Sequence, residues 1–265
     1  MPRVLVVAGH DPTGGAGVDA DREAIEALGA SAACVITART DQARVGADRT
    51  RVRSLGARDP GAWLAEARAE LADPPAAVKL GMLPGAAHVR AAARLLGELP
   101  PALPRVLDPV LAASGGEVFL DADGIEALLA ELLPLAPAVT PNVPEAARLT
   151  GLDAAELARD PDARVEAARR LQAAGAGLVV LKGGHGDEDP VRELVLAPGA
   201  PPAWAEHPRV RGKGLHGSGC RFASALAAGL AQGLDAVAAS ARAGELVANR
   251  IQELGSGLGA GPSTR

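Results

Sequence analysis

The strongest constraint on this chain is an alternation. Short apolar runs, many of them β-branched, are followed repeatedly by longer Ala/Leu/Arg stretches with helical spacing. "RVLVVAG" (3–9), "SAACVITA" (31–38), "AAVKLGM" (76–82), "RVLDPV" (105–110), "APAVTPN" (136–142) and "AGLVVLKGG" (176–184) read as strands. The spacing predicts helices over 16–30, 59–73, 86–99, 121–135, 143–151 and 161–175. "DPVRELVLA" (189–197) and "AWAEHPRV" (203–210) read as two more strands paired with each other, and helices over about 218–232 and 235–254 close the chain. Runs such as "VLVVA" and "LVVL" are apolar at every position, as a strand covered on both faces requires. The expectation is an α/β fold with a mostly parallel sheet between helix layers. Neither a composition break nor a fixed-period repeat divides it. One domain over 1–265 is expected, with a tail from about 256 that is flexible.

Composition removes several classes of function. The net charge is -5 without a basic block, and aromatic residues make up 2% of the chain, too few for a base-stacking platform. Nucleic acid is therefore not an expected partner. The apolar segment "ALLAELLPLAPAV" is broken by Glu131 and two prolines, and no run of about 20 apolar residues suggests a membrane span. The start, "MPRVLVVAGHDP", lacks the pattern of a signal peptide. The two cysteines, Cys34 and Cys220, form no C-x-x-C and fit a reducing, cytoplasmic setting.

Chemistry is sought where an open α/β sheet binds ligands, at the carboxyl ends of its strands. "GHDPTGGAG", "TDQ", "GM", "DP", "TPNVPE" and "KGGH" all fall there. Only three lysines occur, Lys79, Lys182 and Lys213, so each is informative. Lys182 ends a buried strand and suits a phosphate, although a surface lysine is the plainer reading. Asn142 and Glu145 share one face of a helical first turn. They suit Mg²⁺, or else simply start a helix with an acidic first turn. Asp108 in "VLDPV" is open to the same two readings. "HGSGC" (216–220) offers the N–H groups of Gly217, Ser218 and Gly219 at a helix N-terminus, an arrangement that holds anions. The same helix start would lower the pKa of the Cys220 thiol and make it a base, against the alternative of an inert core cysteine. "GHDPTGGAGVDAD" is neither a dinucleotide fingerprint nor a P-loop.

Taken together, "AGHDPTGGAGVDAD", "VITARTDQ", "KLGML", "VLDPV", "TPNVPEA", "LKGGH" and "HGSGC" occur in the order and spacing of hydroxymethylpyrimidine/phosphomethylpyrimidine kinases of thiamine biosynthesis. The chain resembles that family from residue 4 to about 262. The resemblance implies a ribokinase-like three-layer α/β/α sandwich, dimeric, using ATP and Mg²⁺. It implies that Gly9, Asp21, Gln42, Met82 and Val110 line a pyrimidine pocket and that Lys182 and Asn142 serve the nucleotide phosphates. Asp108, Glu145 and Asn142 would organise Mg²⁺, Gly217 to Gly219 would form the anion hole, and Cys220 would stand where most ribokinase-like enzymes have an aspartate base.

The sequence departs from the family pattern at His10, at Ala113 (where a lysine is common) and at Arg221. One reading of Arg221 is that it restores the missing lysine's charge near the phosphates. Two other functions stay open, a kinase of pyridoxine-type vitamers and a weakly catalytic binder of pyrimidine phosphates. Loops 12–17 and 183–189 are the candidate lids.

Overall fold

The computed structural model describes residues 1–44, 50–113, 116–184, 188–210 and 215–255, and the side chains of 41–55 lie outside the description. Its strands are β1 (Arg3–His10), β2 (Ser31–Arg44), β3 (Thr50–Ala57), β4 (Ala77–Leu80), β5 (Arg105–Leu107), β6 (Ala138–Val139), β7 (Val179–Leu181), β8 (Val191–Leu196) and β9 (Ala203–His207). They form one sheet in the order β3-β2-β1-β4-β5-β6-β7-β8-β9. The pairs from β2 through β7 are parallel. The two edges are antiparallel, with β3 on β2, β8 on β7 and β9 on β8.

Alternate residues of each strand feed two separate cores. Val4 and Val6 of β1 face one core, with Phe222, Leu226 and Ala239. Leu5 and Val7 face the other, with Trp63, Leu95 and Leu171. The first core is closed by helices α1 (Gly17–Ala27), α8 (Ser218–Ala231) and α9 (Ala236–Gly255). The second is closed by α2 (Pro60–Glu70), α3 (Ala86–Gly97), α4 (Ala122–Ala127), α5 (Val143–Thr150), α6 (Ala154–Arg159) and α7 (Pro161–Ala173). This is the expected three-layer sandwich. Every central strand is buried on both faces, which explains the unbroken apolar runs.

The structure corrects the element reading in four places. β2 runs on to Arg44 and pairs with β3, which the sequence reading lacks. A six-residue helix, α6, begins at Asp153, whose carboxylate accepts the Glu156 N–H. The stretch expected as one helix over 121–135 is α4 followed by a π-helical turn (Leu128–Leu132) and a 3₁₀ turn (Leu133–Leu135). Pro134 has no N–H to continue the ladder. Strands β5, β6 and β7 are only two or three residues long, because Asp108, Thr140 and Lys182 already belong to the loops that carry chemistry.

Candidate active site

The parallel strands end on one rim of the sheet. The loops after β1, β4, β5, β6 and β7, with the start of α8, enclose a cavity of about 500 Å³. Gly9, Met82 and Val110 line it. Gly9 lies against Met82: a β-carbon at that position would fall 2.0 Å from the Met82 Cε, so a larger residue would displace the end of that side chain. Asp108, Asn142, Glu145, Lys182 and the Gly217–Cys220 turn line the cavity as well.

Lys182 leaves the end of β7 and pairs with Asp108 from the end of β5, Nζ to Oδ1 3.0 Å. The Thr140 hydroxyl donates to the same oxygen at 3.3 Å. The ammonium lies 3.2 Å from where a Gly219 side chain would begin, over the first turn of α8. Burial alone would drain its charge, but Asp108 and Glu145 outweigh burial and hold the Lys182 pKa above its usual range. Gly217 caps α8 with φ +76°, a left-handed conformation that glycine adopts without cost. The Ser218 N–H, expected in the anion hole, is corrected: it donates to the Leu215 carbonyl at 3.2 Å and closes the turn. The N–H groups of Gly217 and Gly219 and a fixed cation remain at this helix start, as an anion site requires.

The Asn142–Glu145 pair resolves partly toward the plainer reading. Asn142 Oδ1 accepts the Glu145 N–H at 2.9 Å, and Glu145 Oε2 accepts the Asn142 N–H at 2.8 Å, a reciprocal capping box at the start of α5. The Asn142 oxygen is thus occupied within the helix cap. Glu145 still lines the cavity, and burial pushes its carboxyl up to about 7, with Lys182 opposing and Asp108 adding to the rise. Among the described residues, no group of three or more His, Cys, Asp or Glu could hold a metal ion. Asp108 and Glu145 are hard carboxylate donors of the kind Mg²⁺ takes.

Cys220 lines the cavity in the first turn of α8, but the expected ionisation is corrected. Burial is the largest influence and, with Asp21 and Asp108, outweighs Lys79 and the Gly17 N–H. The thiol is pushed up to about 11 and is neutral near pH 7 in the ligand-free protein.

Asp21 is also corrected. It lies in α1 with no exposed surface and is not part of the cavity wall. Its Oδ1 accepts from the Lys79 Nζ at 2.7 Å and from the Ser224 hydroxyl at 2.8 Å. Lys79 comes up from β4, fully buried, and reaches the cavity itself. Burial raises the Asp21 carboxyl's pKa and acts against the ammonium. Even so, Asp21, with Asp108 behind it, holds the Lys79 pKa above its usual range. Oδ1 accepts both hydrogen bonds, while Oδ2, also buried, has no partner. The sequence had singled out Lys79 by rarity without giving it a role.

Arg221 does not serve the phosphates. It is 3% exposed and points away from the cavity, its Nη2 bonded to Glu23 Oε2 at 2.6 Å. His10 lines the cavity and lies 3.5 Å from Asp19. Ala113 lines it too, leaving no cation at that position. Asp11 and Arg148, which the sequence reading did not assign, also lie on the wall, as does His216, which adjoins the glycine turn. Gln42 sits in β2 opposite Val52, and its side chain lies outside the described residues, as do Lys213 and much of the proposed 183–189 lid. No helix among the described residues is long and apolar enough to cross a membrane.

Comparison with known proteins bears on the family and the fold. The model of the phosphomethylpyrimidine kinase family matches residues 11–264. The thiamine biosynthesis bifunctional protein ThiED of Geobacter sulfurreducens is 40% identical over 97% of this chain. The chain spans about half the length of that relative (51%). The hydroxymethylpyrimidine/phosphomethylpyrimidine kinase of Streptomyces coelicolor is 36% identical over 97% of this chain and 93% of its own. Among solved structures, a pyridoxal kinase from Staphylococcus aureus in complex with ADP superposes with a TM-score of 0.82 at 28% identity. That match covers 96% of this chain and 89% of the other.

Proposed function

The chain belongs to the phosphomethylpyrimidine kinase family, and from that premise we propose that it moves the terminal phosphoryl group of ATP onto a hydroxymethyl aminopyrimidine. The acceptor is 4-amino-5-hydroxymethyl-2-methylpyrimidine, its monophosphate, or both in turn, on the way to thiamine. The observation that carries this reading is the Lys182 ammonium over the start of α8, in a cavity that also presents Met82 and Val110. One part of the cavity suits an anion and the other an apolar ring. Phosphoryl transfer asks for little more than this positioning and charge neutralisation.

Lys182 and the N–H groups of Gly217 and Gly219 hold the transferring phosphate and the charge that spreads over its oxygens. Mg²⁺ bound with ATP adds further neutralisation, and Asp108 and Glu145 are the residues that would hold it. Gln42 reads the ring edge in this proposal, as the family resemblance implies. Cys220 takes the proton of the attacking hydroxyl. A thiol with a pKa near 11 is ionised to about one part in 10⁴ at pH 7. Transfer to the free alcohol should therefore speed up as pH rises above 7. Transfer to the monophosphate, whose oxygen is already deprotonated, should not. A homodimer in the cytoplasm completes the proposal, supported by the resemblance and by two free cysteines.

Coupled ADP release over a panel of aminopyrimidines and pyridoxine-type vitamers tests this reading. Faster turnover on the hydroxymethylpyrimidine supports it. Faster turnover on pyridoxal would move the assignment to the second reading, which the TM-score of 0.82 to a pyridoxal kinase keeps in play. Cys220→Ala with undiminished transfer to the alcohol would remove the thiol from the mechanism.

A further inference from the structure

Two loops that meet over the cavity come from opposite ends of the chain. The first, after β1, carries Asp11 to Ala16, and the second, before α8, carries His216 and Gly217. They are tied by one side-chain pair, His216 Nε2 to Asp11 Oδ2 at 2.8 Å, across 205 positions of sequence. Asp11 is 2% exposed and is the organising acceptor of its own loop. It takes the Thr13 N–H at 2.9 Å, the Thr13 hydroxyl at 2.8 Å and the Ala16 N–H at 3.1 Å. Arg221 adds a second tie, its Nη1 donating to the Gly15 carbonyl at 2.8 Å and to the His216 carbonyl at 3.0 Å. Burial pushes the Asp11 carboxyl up, but His216 and the Thr13 donors outweigh it, so the group stays anionic.

This arrangement answers an electrostatic problem. A carboxylate on the wall of a phosphate cavity repels its ligand unless a donor covers it. His216 covers Asp11 and in the same contact fixes the residue that precedes the Gly217 cap. We propose that Asp11 and His216 are a positioning pair that locks the substrate loop and the anion hole into one frame, so that ordering either loop orders the other. The consequence for catalysis, which rests on the phosphoryl-transfer reading, is that the pyrimidine and the nucleotide tighten each other's binding.

Hydrogen exchange on the ligand-free full chain tests the lock without any substrate. In His216→Ala, amides of 13–16 and of 217–221 should both exchange about tenfold faster, while those of α3 and α7 keep their wild-type rates. His216→Gln, which keeps an amide N–H close to the position of Nε2, should restore slow exchange in both loops. Faster exchange confined to 217–221 would overturn the proposal. Calorimetry then measures the coupling, using a non-hydrolysable ATP analogue with and without hydroxymethylpyrimidine. The wild type and His216→Gln should show mutual tightening of about fivefold or more, and His216→Ala none. Full tightening in His216→Ala would overturn the pair's role. The exchange result does not depend on catalysis, so failure to phosphorylate the pyrimidine would count against the functional reading alone.

Discussion

Two lysine–aspartate pairs reach the same cavity and are built for different ends. Lys79 and Asp21 are 2.7 Å apart with no exposed side-chain surface, and Ser224 supplies a further hydrogen bond to the same oxygen. Lys182 and Asp108 are 3.0 Å apart, with the lysine 11% exposed toward the cavity and a helix start beneath it. The chemistry of the partners is the same and the solvation differs. A fully desolvated pair is held by its own charges, and breaking it strands a buried ion. A pair at the cavity wall can share its cation with an incoming phosphate. We read the first pair as part of the frame and the second as part of the reaction.

The comparison is broken most severely at Lys79. Lys79→Met should cost about 3–5 kcal/mol of stability, because Asp21 is left charged and unpaired in the core. Urea unfolding measures it. Replacing both partners, Lys79→Met with Asp21→Leu, should recover much of the loss, and no recovery would show that the pair does more than hold the frame.

Lys182→Met is the complementary break. It should lower kcat by about 10²–10³, as loss of one transition-state donor does, and because it leaves the buried Asp108 carboxylate without its cation the urea midpoint should fall too, by less than in Lys79→Met. A variant that loses stability and keeps its rate would reverse the assignment of the two pairs.

Glu145 sharpens the picture through pH. Its folded pKa of about 7 lies above the ordinary 4.5, so the folded protein binds the extra proton between those values. Stability of the ligand-free protein should fall as pH rises through that window, by about 2 kcal/mol after allowance for solvent contact, and level off above it. Glu145→Gln keeps the helix cap and should flatten that slope. An unchanged slope would place the titration elsewhere.

The smallest effect concerns Cys220. In a Cys34→Ala background, alkylation by iodoacetamide should be slow at pH 7 and climb about tenfold per pH unit toward 11. A plateau below pH 8 would restore the thiolate that the helix start alone suggests.

Much of the fold was legible because burial on both faces leaves an unmistakable run such as "VLVVA". β3 was missed because in "TRVRSLGA" the large apolar residues Val52 and Leu55 stand three apart, off the period of two that marks a strand, and α6 because six residues give no periodic window. At the site, Lys182, Asp108 and the Gly217–Cys220 turn were legible because their strand ends and helix start fix their direction. Asp21 was misplaced because its partner stands 58 residues away and only the folded core joins them. Arg221 follows Cys220 directly, yet one helical step turns a side chain by about 100°, which carries the guanidinium off the cavity. Asn142 and Glu145 share a helix face as expected, and the capping box their spacing permits then occupies the amide oxygen.

The central claim is that the cavity places a phosphoryl group on a pyrimidine hydroxymethyl. Phosphorus NMR of the wild-type chain with MgATP and 4-amino-5-hydroxymethyl-2-methylpyrimidine tests it most directly. The account predicts a new phosphomonoester resonance growing as ADP appears. ATP left unchanged, or hydrolysed to ADP and free phosphate with no ester formed, would contradict it.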